Sequence, residues 1–130
     1  MDKQFLTLLA TISLIFAFSG CTTPVAIDPI SGQEQTASFS GGTFTGPLNA
    51  TPDRVFRRTI RVMDETGYFR TGEVHRENRI TIYARRVGDQ RVTVRIERGE
   101  ETPSVISIRI GATGNLAESQ VLYAKIREAL

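Results

Sequence analysis

Three stretches in the second half of the chain alternate apolar and polar residues with a period of two. Ile80, Ile82 and Ala84 alternate with Thr81, Tyr83 and Arg85. Val92, Val94 and Ile96 alternate with Thr93, Arg95 and Glu97. Ile106, Ile108 and Ile110 alternate with Ser107 and Arg109. Such alternation buries one face of a strand and leaves the other in water. Residues 87–90 and 99–103 are short and rich in turn formers, so these strands form an antiparallel meander. Its wet face carries Thr81, Tyr83, Arg85, Arg91, Thr93, Arg95, Glu97, Ser107 and Arg109. Neighbouring Arg and Glu side chains there can pair across strands.

Two stretches follow a helical period instead. Thr51 stands where a cap belongs, Pro52 suits the first helical position and Asp53 favours the positive end of the dipole. The helix runs to about Thr66, and Gly67 stops it. Val55, Phe56, Ile60, Val62 and Met63 lie largely on one face, with Arg54, Arg57, Arg58 and Arg61 clustered opposite. A second helix starts at Asn115, with Glu118 three residues on as in a capping box. Leu122, Ile126, Ala129 and Leu130 form its apolar stripe.

Two further segments read as weaker strands. Residues 38–48 hold Phe39, Phe44 and Leu48 among Ser, Thr and Gly, a pattern for a short edge strand with a bend at Gly41 and Gly42. Residues 68–75 hold Tyr68, Phe69 and Val74. The expected architecture is α+β. A small antiparallel sheet of about four to five strands carries two helices packed on one face, in the order β-α-β-β-β-β-α.

The amino terminus changes the picture from fold to location. Residues 5–18 are uncharged and lack Pro and Gly, after a short n-region containing Lys3. The run is shorter than the roughly 20 residues that span a bilayer core and suits a signal peptide. Ser19 and Gly20 supply small residues at a cleavage site, and Cys21 follows at once. The pattern is expected to be a bacterial lipoprotein signal, a reading favoured over an ordinary secretory cleavage beside an incidental cysteine and over an uncleaved short membrane helix, with cleavage between Gly20 and Cys21 and lipidation of Cys21, palmitate included. Phe18 stands where Leu is usual. The expected organisation is a signal peptide over residues 1–20, the lipidated cysteine and a flexible tether over 21–37, and a single domain over 38–130. Thr22, rather than Asp, favours the periplasmic face of the outer membrane over the inner membrane.

Charge adds one candidate surface. The chain has 130 residues and a formal charge of +2. Lys125 is the only lysine after the signal, so the base there is almost all Arg, whose planar fork suits carboxylates and phosphates. The densest cluster, Arg54, Arg57, Arg58 and Arg61, is the candidate contact for anionic lipid, lipopolysaccharide or glycan. A solvated helix face is the reading favoured over such a contact. His75 is the only histidine and Cys21 the only cysteine, which rules out an internal disulfide and leaves no metal-ligand spacing. No catalytic constellation is expected, no cofactor and no nucleic-acid partner. The expected partners are the membrane, through the lipid, and a protein of the envelope.

The stretch Ile106-Ser107-Ile108-Arg109-Ile110-Gly111, followed by Gly114-Asn115, Ser119 and the helix end at residues 126–130, resembles the bacterial lipoprotein family catalogued as domain of unknown function 3568. The resemblance covers most of the chain after the signal. It implies a lipobox, a short strand, a helix, a strand meander and a last helix, in a cell-envelope lipoprotein. Arg109, Gly111, Gly114 and Ser119 are the matching positions. Asn115 stands for a common Asp, and the first helix carries arginines where small residues are usual. The resemblance implies no reaction and no site residues.

Overall fold

The computed structural model describes residues 23–26 and 36–130. Seven strands and two helices follow one another as β1 (Thr23–Ala26), β2 (Thr36–Ser40), β3 (Thr43–Leu48), α1 (Pro52–Glu65), β4 (Phe69–Arg76), β5 (Arg79–Arg86), β6 (Gln90–Arg98), β7 (Ser104–Ile110) and α2 (Leu116–Glu128). All strands join one antiparallel sheet in the order β1-β2-β3-β7-β6-β5-β4.

The meander forms as its alternation requires. Ile80, Ile82 and Ala84 of β5, Val92, Val94 and Ile96 of β6, and Ile106, Ile108 and Ile110 of β7 are all buried. The register places Ile82 beside Val94 and Val94 beside Ile108, so one face of the sheet is a continuous aliphatic surface. Phe44 and Leu48 extend that surface onto β3. Both helices pack on it, α1 over β6 and β4, α2 over β3 and β7. Val55, Val62 and Met63 of α1 and Leu122, Tyr123 and Ile126 of α2 are buried against it. Each such side chain contributes roughly 1.5–3 kcal/mol through removal from water.

Gly46 fixes how closely α2 approaches β3. A Cβ at this position would stand 2.8 Å from the Tyr123 ring. The absent side chain lets Tyr123 lie against the strand, tilted on Phe44 at 5.1 Å, with its hydroxyl donating to the Pro47 carbonyl. At the start of β7, the buried Ser104 hydroxyl donates to the Ala50 carbonyl at 2.6 Å and ties the turn before α1 to the sheet.

The sheet is larger than the four to five strands expected. Residues 38–48, read as one bent strand, fold into the β2–β3 hairpin, because Gly41 and Gly42 both adopt positive φ and reverse the chain. The segment read as a tether contributes β1, which pairs with β2 through Val25 and Ala37. Three strands therefore precede α1 rather than one, and the sheet starts at Thr23 rather than residue 38. The rest of the tether, the signal peptide and Cys21 lie outside the described residues.

Helix ends match their expectations unequally. Asn115 Oδ1 accepts from the Glu118 N–H at 3.1 Å, as a capping residue should. Thr51 has extended backbone angles but makes no side-chain cap bond, so Pro52 and Asp53 supply the start signal for α1. Strand β4, read as a weak strand over residues 68–75, is exposed at every residue.

Candidate functional site

The four arginines singled out in the sequence do share one exposed side of α1. Their spacing of three and four residues places them in a row along the helix. Arg54 donates to the Leu130 carbonyl beyond α2. Arg57, Arg58 and Arg61 have no hydrogen-bond or ion-pair partner among the described residues. Three fixed charges on neighbouring turns repel one another mildly and are available to an anion.

The second arginine-bearing surface is the sheet face that the helices leave open. Cross-strand rows run through Tyr83, Thr93 and Arg109, and through Thr81, Arg95, Ser107 and Thr45. Thr45 and Ser107 share a hydrogen bond at 3.1 Å. Arg79 pairs with Glu97 across β5 and β6, as expected of neighbouring opposite charges, and Arg85 pairs with Asp89 in the following turn. Arg91, opposite Arg85, has no acidic partner among the described residues. A cleft of about 560 Å³ opens at the edge of this face, lined by Gln90, Arg91, Thr93, Arg109 and Ala112.

Arg109 has an engagement that its sequence position did not disclose. One guanidinium nitrogen donates to the Gly41 carbonyl in the β2–β3 turn and another to the Ala112 carbonyl in the β7–α2 loop. The two loops interlock directly beneath it. A Cβ on Gly114 would stand 2.1 Å from the Gly42 carbonyl oxygen, and one on Gly42 would stand 2.3 Å from that of Thr113. Both glycines have positive φ, so any side chain there is excluded twice, by space and by backbone angle.

A third cluster joins β5 to α2. Arg86 pairs with Glu118 and lies 5.9 Å from the centre of the Tyr68 ring. Burial pushes the Tyr68 phenol up, partly offset by the positive charge of Arg86. The Glu118 hydrogen bond holds Arg86 protonated. The second Glu118 oxygen, Oε2, is buried without a partner. A hollow of about 300 Å³ lies beside them, floored by Leu122 and Val121.

His75 sits on the helix side of β4, edge-on to Phe56 at 5.0 Å and 3.2 Å from Glu73. Asp64 lies six residues before Arg70 and receives two hydrogen bonds from it. That pairing holds the Asp64 carboxyl below its ordinary value. Asp64, Arg70 and Glu73 line one open hollow, and among the described residues no group of three His, Cys, Asp or Glu side chains gathers as a metal site.

Compared with known families, the chain matches the model described as protein of unknown function DUF3568 over residues 3–129. The chain belongs to the DUF3568 family. No curated protein matches it. Of the positions through which the sequence resembles DUF3568, Arg109 and Gly114 form the interlocked corner of the fold, whereas Gly111 faces Gln90. Arg109 binds both loops, Gly114 is pressed against Gly42, and Ser119, on the first turn of α2, is fully buried with its hydroxyl unpartnered. In this DUF3568 chain the motif therefore builds a joint between β3, β7 and α2. Two of its partners are main-chain carbonyls, which leave no mark in a sequence.

Proposed function

We propose that the chain is a lipid-anchored protein of the bacterial cell envelope that acts as a non-enzymatic interaction or assembly module. The observation that carries this reading is the placement of Cys21, the only cysteine, directly after an apolar run and two small residues. Diacylglycerol on its thiol and an acyl chain on its amine supply more than one anchor, and each buried methylene adds about 0.8 kcal/mol. The periplasmic face of the outer membrane is the proposed location. The open polar sheet face, with Arg91 and Arg95 free of acidic partners among the described residues, supports a contact role for the domain. Palmitate labelling of the wild type and of Cys21→Ser tests the anchor. The variant should lose the label and leave the membrane fraction. A variant that keeps the label refutes the reading.

A second reading, binding of anionic lipid, lipopolysaccharide or glycan through α1, is favoured by the unpartnered row of Arg57, Arg58 and Arg61. Flotation of the Cys21→Ser protein with anionic vesicles should weaken when Arg54, Arg57, Arg58 and Arg61 are replaced by Ser. Equal flotation of both proteins removes that role from α1.

A further inference from the structure

The position of β1 bears on how the domain sits on a membrane. Thr23 pairs with Phe39 and Ala26 with Thr36, so the amino-terminal end of β1 lies beside the end of β2 that enters the Gly41–Gly42 turn. Cys21 precedes Thr23 by two residues. Chain connectivity alone keeps the two Cα atoms within about 7 Å. A tether running from Cys21 to residue 37 would have allowed about 55 Å. An anchor at Cys21 is therefore short, and it holds one particular end of the sheet near the bilayer.

The registers identify what else lies at that end. Ser40 faces Thr43 at the β2–β3 turn, Ile110 closes β7 beside Val92, Arg86 faces Gln90 at the β5–β6 turn, and Phe69 begins β4 beside Arg85. The opposite end carries the β4–β5 turn, with Glu77 and Asn78, and the β6–β7 loop, with Glu100 and Glu101.

The two ends differ in their exposed apolar side chains and in their unpaired acids. At the anchor end, Asp64, Asp89 and Glu118 are each neutralised by an arginine, namely Arg70, Arg85 and Arg86. Glu65, exposed at the end of α1, is the acidic exception. Arg91 has no acid partner and Arg109 is held by carbonyls, so both keep an uncompensated positive charge. Val87, at the tip of the β5–β6 turn, is 82% exposed, and Phe69 is 63% exposed. At the far end, Glu77, Glu100 and Glu101 are exposed and have no basic partner among the described residues. Anionic headgroups attract the uncompensated positive charge of the first end, whereas the second mixes these three acids with Arg76 and Arg98, both exposed and without an acidic partner among the described residues.

We propose that the end of the sheet formed by the β2–β3, β5–β6 and β7–α2 turns rests on the bilayer that holds the anchor. Val87 enters the headgroup region, Arg91 faces lipid phosphates, and the Glu77 and Glu100–Glu101 turns point away. This orientation rests on lipidation of Cys21. It also places the α1 row, which begins with Arg54 at the far end, out of reach of that membrane along most of its length.

The chain contains no Trp, so a single introduced one reports its own surroundings. Val87→Trp and Asn78→Trp mark the two ends of β5, eight residues long, which separates them by about 26 Å. Both positions are exposed in turns. The full lipidated protein is reconstituted into phosphatidylethanolamine–phosphatidylglycerol vesicles with brominated acyl chains, and palmitate incorporation is measured on the same sample. Quenching at position 87 should exceed that at position 78 by about threefold or more, because only the first reaches the interface. Arg91→Glu in the Val87→Trp background should reduce the excess about twofold at low salt, since one phosphate attraction becomes a repulsion. Equal quenching at the two positions, or the reverse order, in a labelled sample overturns the orientation while leaving the anchor intact. An unchanged excess in Arg91→Glu overturns the phosphate contact. A sample without label overturns the anchor and the orientation together.

Discussion

The same residue type does two different things in this molecule. Arg109 has its charge pinned by two loop carbonyls, in a corner where glycines touch backbone to backbone. Arg57, Arg58 and Arg61 stand on α1 with no partner among the described residues. The comparison teaches that arginine density is a poor guide to importance here. The single arginine of β7 determines whether three elements meet correctly, whereas the densest cluster can be removed without touching the core.

Substitutions should separate the two regions by size of effect. Gly114→Ala attacks the corner hardest. It places a methyl 2.1 Å from the Gly42 carbonyl oxygen in a backbone conformation with φ of +84°. A loss of about 3 kcal/mol or more is expected in urea unfolding. Arg109→Ala should cost about 1–3 kcal/mol through two charge-assisted bonds, and Arg109→Lys should recover less than half, because an ammonium cannot span both carbonyls. If Arg109→Ala unfolds like wild type, the corner is held by its glycines alone.

A titration sharpens the comparison at the neighbouring contact between α2 and β3. Burial pushes the Tyr123 phenol up to about 12 from an ordinary 10.0, against a small opposing effect of Arg127. The unfolded chain then releases this proton first, so stability is full below about pH 10 and falls between about pH 10 and 12. Tyr123→Phe should flatten that part of the stability curve and cost about 1 kcal/mol at neutral pH, from the lost bond to Pro47. The smallest effect belongs to α1. Arg57→Ser, Arg58→Ser and Arg61→Ser should each change stability by no more than about 0.5 kcal/mol in thermal melts. A larger gain on removing all three would show that their mutual repulsion matters.

The central strands were readable because the buried aliphatic positions in β5, β6 and β7 recur every second residue, although Thr81, read as a wet-face residue, is buried too. Asn115 was readable as a cap because its partner, the Glu118 N–H, is local. The β1–β2 pairing was not, since a strand of four residues containing a proline acquires its ladder only from partners ten or more residues away. The exposure of β4 was hidden as well. A shift of register between Arg70 and Gly72 breaks the alternation, so Phe69 and Val74 both end on the open face although five residues apart. Of the candidate site, the α1 row followed directly from helical spacing. The role of Arg109 did not, because its acceptors are carbonyls brought near by folding. Cys21 lies outside the described residues, so its reading stands on the sequence alone.

That shift of register in β4 has a consequence for edge-to-edge pairing. An open strand of eight residues is a template onto which another chain could add and start a fibre. Here an incoming strand would lose its hydrogen-bonding rhythm at Thr71, between an arginine already committed to Asp64 and a glycine with nothing to pack. The irregularity that blurred the sequence pattern therefore interrupts the template that a regular edge would offer.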